Sequence, residues 1–247
     1  MRKGSLLIIF MLISITICAQ NVIKVAAAAN LRNVFSEIKT NYEKENPTVK
    51  IDVTFGSSGS LVQQILNGAA YDFFMAADKN FPLKLETKGV TYGKVSTYAY
   101  GKLVLWSSTI DVNKGIDVLK ESAVKRIGIA KPETAPYGDR AVELLKKQGL
   151  FEQFKTKIVY GDNISATAQY AFTGNVEVGF IALSLAMAPE MAGKGKYYVI
   201  PQDMYTPIEQ ACVLIKKSTR SVATEKFMKY VLGHSCDALW KKYGYSK

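Results

Sequence analysis

The amino-acid sequence predicts an α/β protein made of two Rossmann-like lobes joined by crossing strands. Three observations carry this reading. From Val22 onward, short apolar runs alternate with segments of helical period, and each handover is marked by Asn, Ser, Gly or Pro. The same strand, loop and helix order restarts beyond Trp106. No Gly/Ser-rich linker, low-complexity tract or tandem repeat separates the halves, so two lobes must share the strands that cross between them. The expected division is lobe I over 20–100, lobe II over 101–206 and a return to lobe I over 207–247, with crossings near Tyr100 and Thr206. Alternation of this kind favours parallel sheets covered on both faces.

The chain begins with Arg2 and Lys3, an apolar run from Leu6 to Ile17, and then Cys18, Ala19 and Gln20, the layout of a secretory signal peptide over residues 1–19. The run is too short for a spanning helix, which takes about 20 apolar residues. A lipid anchor on Cys18 is disfavoured because Ile17 stands where a small residue is required. The expectation is export to the periplasm. The exported chain keeps Cys212 and Cys236, which can pair in an oxidising compartment or remain as two buried thiols.

The first strand is VIKVAAAA, followed by Leu31, Val34, Phe35, Ile38 and Tyr42 at helical spacing. Next, Val49, Ile51, Val53 and Phe55 alternate with Lys50, Asp52 and Thr54, the period of a strand with one wetter face. Gly56 to Ser60 break it, and Leu61, Val62, Ile65 and Leu66 form a short helix that stops at Gly68. YDFFMAA is a third buried strand. The second copy runs through LVLW, RIGIA, the loop KPETAPYGD, a helix from Arg140 to Gln148, KIVY and a helix after Asn163. EVGFIAL, YYVI and ACVLI are further apolar runs, and two helical segments around Phe227 to Leu232 and Cys236 to Tyr243 end the chain.

The formal charge is +11 and falls to +9 once Arg2 and Lys3 leave with the leader. Lysines occur singly or in pairs, interleaved with acids, without the basic arm or aromatic-basic stripe of a nucleic-acid binder. A single histidine, His234, cannot build a His-based metal centre. GSSGS at 56–60 departs from the nucleophile elbow at Ser60 and lacks the Gly-Lys-Ser/Thr of a phosphate loop. No enzyme, bound cofactor or direct metal ligand is expected.

Four handovers share a different trait: AAAAN, GSSGS, TAPYGD and DNIS are rich in small or hydroxyl donors and poor in cationic charge. Each precedes a helix, whose first N–H groups are unpaired and carry roughly half a positive charge, so each is an anion seat. Taken singly, Asn30, Ser57, Ser58, Asp139 and Ser165 read first as helix caps, and only their convergence favours a binding role. In open α/β sheets, ligands lie beyond the carboxyl ends of the strands, so facing lobes would aim all four handovers at one cleft. A fully deprotonated oxyanion only accepts hydrogen bonds, so Asp139 and Asp162 must face away.

With AAAANL, TFGSSGSL, DFFMAAD and the PYG and GDNI loops in view, the sequence resembles the periplasmic molybdate-binding proteins of ABC importers over nearly the whole exported chain, down to the terminal KKYGY. The resemblance implies a type II periplasmic binding protein, a monomer that holds molybdate or tungstate between its lobes and delivers it to a membrane permease. It places the oxyanion seats on Asn30, on Ser58 with Ser57 adjacent, on Tyr137 and on the backbone N–H of Ile164, with the metal held only through its oxygens. One departure stands out: Ala182 occupies the position where members with a small third seat carry a ligand tyrosine, so Tyr137 is expected to supply that hydroxyl. Receptors for sulfate, phosphate or an organic acid remain the alternatives in the same class, and an exported enzyme on this fold is the distant one. Ser58→Ala and Tyr137→Phe are expected to weaken binding with ligand-free stability nearly unchanged.

Overall fold

The computed structural model describes residues 21–216 and 222–247. The segment read as a signal peptide, with Cys18, lies outside the described residues. The strands are β1 (Asn21–Ala28), β2 (Val49–Gly56), β3 (Phe73–Ala76), β4 (Thr91–Gly101), β5 (Leu103–Ser107), β6 (Ile127–Ala130), β7 (Ile158–Gly161), β8 (Val178–Ala182), β9 (Lys196–Val199) and β10 (Ile208–Ile215). The helices are α1 (Arg32–Glu45), α2 (Ser58–Leu66), α3 (Asn80–Thr87), α4 (Pro136–Lys147), α5 (Phe151–Phe154), α6 (Ile164–Phe172), α7 (Leu183–Ala186), α8 (Val222–Leu232) and α9 (Asp237–Lys242).

Two five-stranded sheets repeat one plan, in the orders β2-β1-β3-β10-β4 and β7-β6-β8-β5-β9. In each, four strands run in one direction and the fourth in order, β10 or β5, runs antiparallel to both of its neighbours, so the sheets are mostly parallel with one reversed strand. The cause is the connectivity. The chain leaves the first sheet at β4, passes through Lys102 into β5, and returns between β9 and β10, so β5 and β10 enter against the direction of the parallel set.

Side-chain size explains how β1 takes helices on both faces. Ala27 belongs to the main core with Phe35 and Ile38 of α1, whereas Ala26, pointing the other way, joins Leu61, Val62 and Ile65 of α2. Phe35, Phe55, Phe73, Tyr42 and Phe227 then meet edge to face at centroid distances of 4.9–6.0 Å, which fastens α8 to α1 and β3. Such pairs contribute about 0.5–1.5 kcal/mol each beyond area burial. In the second sheet Trp106 is fully buried, and Gly195 is required beside it because a Cβ there would lie 2.3 Å from the indole.

The consequence for the site is directional. The carboxyl ends of β1, β2 and β3 in one sheet, and of β6 and β7 in the other, feed the segments that carry all four donor-rich handovers.

Candidate functional site

Those segments converge on one small cavity. Ala28, Ala29 and Asn30 after β1, Gly56 to Ser58 after β2, and Ala77 after β3 line it from one half. Ala135, Pro136 and Tyr137 at the start of α4, and Ile164 at the start of α6, line it from the other. The volume open to the centre of a water-sized sphere is about 10 Å³, close to the room one water takes. Asn30, Ser58 and Tyr137 are each only 1% exposed. No carboxylate and no cationic side chain lines the cavity: Asp139 pairs with Arg140, and Asp162 with Lys131 at 2.6 Å.

The hydroxyls at this cavity are backed from behind. Ser58 Oγ accepts the N–H of Ala77 at 3.0 Å, and the Tyr137 phenol oxygen accepts from Gln210 Nε2 at 3.0 Å. An oxygen filled this way has its own proton left to donate. Burial pushes the Tyr137 phenol well above its ordinary pKa, so that proton stays on. The N–H groups of Ser58, Tyr137 and Ile164, at the first or second position of α2, α4 and α6, have no acceptor within the described residues.

Capping explains part of the pattern. Ser57 caps α2, accepting from Ser60 N–H and donating to Ser60 Oγ at 2.7 Å, so its hydroxyl is engaged locally. Asn163 caps α6 by accepting from the N–H groups of Ser165 and Ala166, which leaves the Ile164 N–H clear. Ser58 and Ser165 are not caps, and α4 has no side-chain cap. Ser165 Oγ reaches Ala29 O at 2.9 Å, a bond between the two halves.

Asn30 is at the cavity but turned. Its Nδ2 donates to Gln210 Oε1 and to the Tyr245 hydroxyl, both at 2.9 Å, while its Oδ1 is buried without a partner. Its amide hydrogens therefore serve the network behind the cavity. Ala182 is fully buried at the end of β8 and does not line the cavity. The backing bonds also revise the mutational expectation. Ser58→Ala would strand the Ala77 N–H and Tyr137→Phe the Gln210 amide, each costing about 1–3 kcal/mol of stability.

Sequence reading missed the supporting layer. Tyr245 OH bonds Asn30 O at 3.1 Å and Ser184 Oγ at 3.0 Å, and Tyr98 OH bonds Ala76 O and Gln210 Oε1, both at 2.9 Å. Further contacts hold the halves together: Gly59 N–H to Thr134 O at 2.9 Å, Ser184 Oγ to Asn30 O at 3.0 Å, and an ion pair of Asp78 with Arg140 at 2.7 Å. His234 is fully exposed and bonded to Asp237, so it serves no serine. Among the described residues no group of His, Cys, Asp and Glu could hold a metal ion.

Two lobes closed over a buried wall of hydrogen-bond donors define a solute-binding protein of the type II periplasmic architecture. The chain belongs to the bacterial extracellular solute-binding proteins, whose family model matches residues 23–246, and within them to the molybdate-binding proteins of ABC importers. It is 40% identical to the molybdate-binding protein ModA of Azotobacter vinelandii over 90% of this chain and 89% of that one. It is 37% identical to ModA of Rhodobacter capsulatus over 89% and 86%. The solved periplasmic molybdate-binding protein of Azotobacter vinelandii superposes with a TM-score of 0.86 at 30% identity, covering 91% of this chain and 99% of that one. A sulfate-binding protein of Mycobacterium tuberculosis shares the fold at a TM-score of 0.76 with 16% identity, over 91% and 86%. The fold alone therefore does not choose the anion.

Proposed function

We propose that this chain captures a fully deprotonated tetrahedral oxyanion, molybdate or tungstate, between its lobes and presents it to the permease of an ABC importer outside the cytoplasmic membrane. The observation that carries this reading is the donor-rich wall: Ser58 and Tyr137 hydroxyls with their protons free, and the N–H groups of Ser58, Tyr137 and Ile164, with no carboxylate among the lining residues and the Asn30 Oδ1 as the unpartnered side-chain acceptor. Donors outnumber that one acceptor, which favours an anion with no proton of its own to place. Each hydrogen bond to a charged group contributes about 1.5–3 kcal/mol before desolvation and closure are subtracted. A handful of them reaches the submicromolar range, which begins at about −8 kcal/mol.

The cycle involves binding and release without covalent chemistry, and closure is driven by contacts made only when both halves touch the ligand. The molybdate-binding relatives support this reading, as does the likeness to the "substrate binding domain of putative molybdenum ABC transporter" of Clostridium difficile. The N-terminal leader fits export to the periplasm, and the exported protein acts as a monomer with no bound cofactor and no nucleic-acid partner.

Isothermal titration of the purified chain with molybdate, tungstate, sulfate and phosphate at equal ionic strength tests it. Submicromolar binding of the first two alone is expected, and Ser58→Ala and Tyr137→Phe weaken it. Sulfate binding as tightly as molybdate would remove selection by size and move the assignment to a general dianion receptor.

A further inference from the structure

Gln210 lies in β10, is fully buried, and does not line the cavity, yet its one amide touches site residues of both halves. Its Oε1 accepts from Asn30 Nδ2 at 2.9 Å and shares the single Tyr98 proton with Ala76 O, each 2.9 Å from that hydroxyl, and its Nε2 donates to the Tyr137 oxygen at 3.0 Å. The acceptor end thus faces the β1 loop and the donor end faces α4. Gly101, where the chain leaves β4, makes room for this meeting: a Cβ there would lie 2.1 Å from the Tyr137 hydroxyl and 2.4 Å from Gln210 Nε2.

A carboxamide has one accepting and one donating end, and a phenol hydroxyl can donate its single proton in only one direction. We propose that Gln210 is a positioning and specificity-determining residue: by donating to the Tyr137 oxygen it directs the Tyr137 proton toward the ligand, so the wall presents donors and selects fully deprotonated oxyanions. With an acceptor facing Tyr137 instead, the phenol proton would turn to residue 210 and a lone pair would face the ligand. This inference rests on the oxyanion reading above.

The test is a double-mutant cycle on molybdate affinity, with Gln210→Met and Gln210→Glu made alone and in the Tyr137→Phe background, titrated from about pH 6 to about pH 9 where buried phenols stay protonated. Ligand-free Tm is followed beside each titration. The titratable groups bonded to Gln210, Tyr98 and Tyr137, and those that act on them, Tyr205, Tyr245 and Cys212, are all pushed upward by burial and keep their protons over this range. Glu209 is turned to Thr97 and Lys79.

Wild-type affinity is expected to be flat with pH, and Gln210→Met to lose about tenfold, the worth of one charge-coupled hydrogen bond. Gln210→Glu, the isosteric variant should the first fail to fold, is expected to bind nearly as wild type while its carboxyl is protonated, since one O–H and one C=O reproduce the amide's pairing. Its affinity then falls as pH rises and the carboxyl ionises into an acceptor only. Both losses shrink several-fold in the Tyr137→Phe background.

Losses of full size in that background would mean that Gln210 acts through the fold or through bare charge, and would overturn the proposal while leaving the oxyanion reading intact. Wild-type affinity in Gln210→Met with an unchanged Tm would do the same, as would a Tyr137→Phe variant that binds undiminished. A wild-type protein that binds no molybdate would fail the oxyanion reading and this inference with it.

Discussion

Arg140 of α4 holds Asp78, two residues beyond β3, by a 2.7 Å ion pair that crosses from one half of the molecule to the other. Both side chains are only about a tenth exposed, at 11% and 10%. Asp78 sits next to Ala77, whose N–H backs Ser58, and Arg140 lies one turn along α4 from Tyr137, so the pair ties together the two segments that carry those site residues. Arg140→Met keeps much of the stem and removes the charge. It leaves the buried Asp78 carboxylate with Asn80 alone. Loss of a charge-assisted bond is worth about 1.5–3 kcal/mol in the closed form, so molybdate affinity should fall at least tenfold. The loss should appear in release rather than capture, since the pair forms after both halves meet. Titration calorimetry with displacement kinetics checks this, and an unchanged release rate would deny the pair its role as a latch.

Gly59 supplies a sharper probe of closure. It occupies the second position of α2 and donates its N–H to Thr134 O of the opposite half, and a Cβ there would lie 2.8 Å from the Thr134 Cα. Gly59→Ala should therefore keep the halves apart. Within its own helix the change is favourable by about 0.5–1 kcal/mol, because alanine loses less backbone freedom than glycine. Forcing the contact costs about 1–3 kcal/mol. Molybdate affinity is expected to drop about tenfold or more while the ligand-free Tm holds or rises. A parallel fall in both would point to a fold defect instead.

The lobes and the donor loops were legible because their signals are local. VIKVAAAA and the helical spacing after it mark β1 and α1, and GSSGS announces the break between β2 and α2. Strand β4 carries no such local signal, since Gly93, Ser96 and Thr97 interrupt its alternation and its antiparallel pairing with β10 has two register shifts. The layer behind the cavity was also hidden. Gln210 is one polar residue just before an apolar run, and its partners Asn30, Tyr98 and Tyr137 lie 73 to 180 positions away. Contacts of that separation leave no spacing to detect. The terminal KKYGY was noticed as a motif, but only the structure shows Tyr245 bridging Asn30 and Ser184.

The two cysteines, left open between a disulfide and separate thiols, are free and buried. Burial pushes the Cys212 thiol far above its ordinary value and that of Cys236 up to about 12. A thiol without access or thiolate character does not react. The chain starting at residue 21 should show no labelling by an aromatic disulfide reagent in the native state and two thiols after denaturation. Its Tm should be the same with and without reductant. A mass two hydrogens short of the reduced chain would show that the pair had been joined.

Acid should loosen the fold through Glu37. Hydrogen bonds from Lys242, at 2.7 and 2.9 Å, and from the Tyr243 hydroxyl hold its carboxyl below the usual range, tying α1 to the C-terminal segment. A carboxyl depressed in the folded state stabilises above its unfolded pKa, and that contribution is lost as pH falls through the folded value. Glu209 acts in the same sense, lowered first by the Thr97 hydroxyl, as does Glu177, where burial is outweighed by Arg126 and two backbone N–H groups. Asp78 acts oppositely: burial outweighs Asn80 and Arg140 and raises its carboxyl, so protonation there favours the folded state. Glu143, Asp111 and Asp237 are lowered as well, so among the described residues the depressed carboxyls outnumber the one raised carboxyl and set the sign. Ligand-free Tm should be lower at about pH 3.5 than at about pH 7, and Glu37→Gln should flatten part of that slope while lowering the Tm at neutral pH. A Tm independent of pH, or a steeper slope in Glu37→Gln, would show that the Glu37 bonds are too solvent-screened to matter.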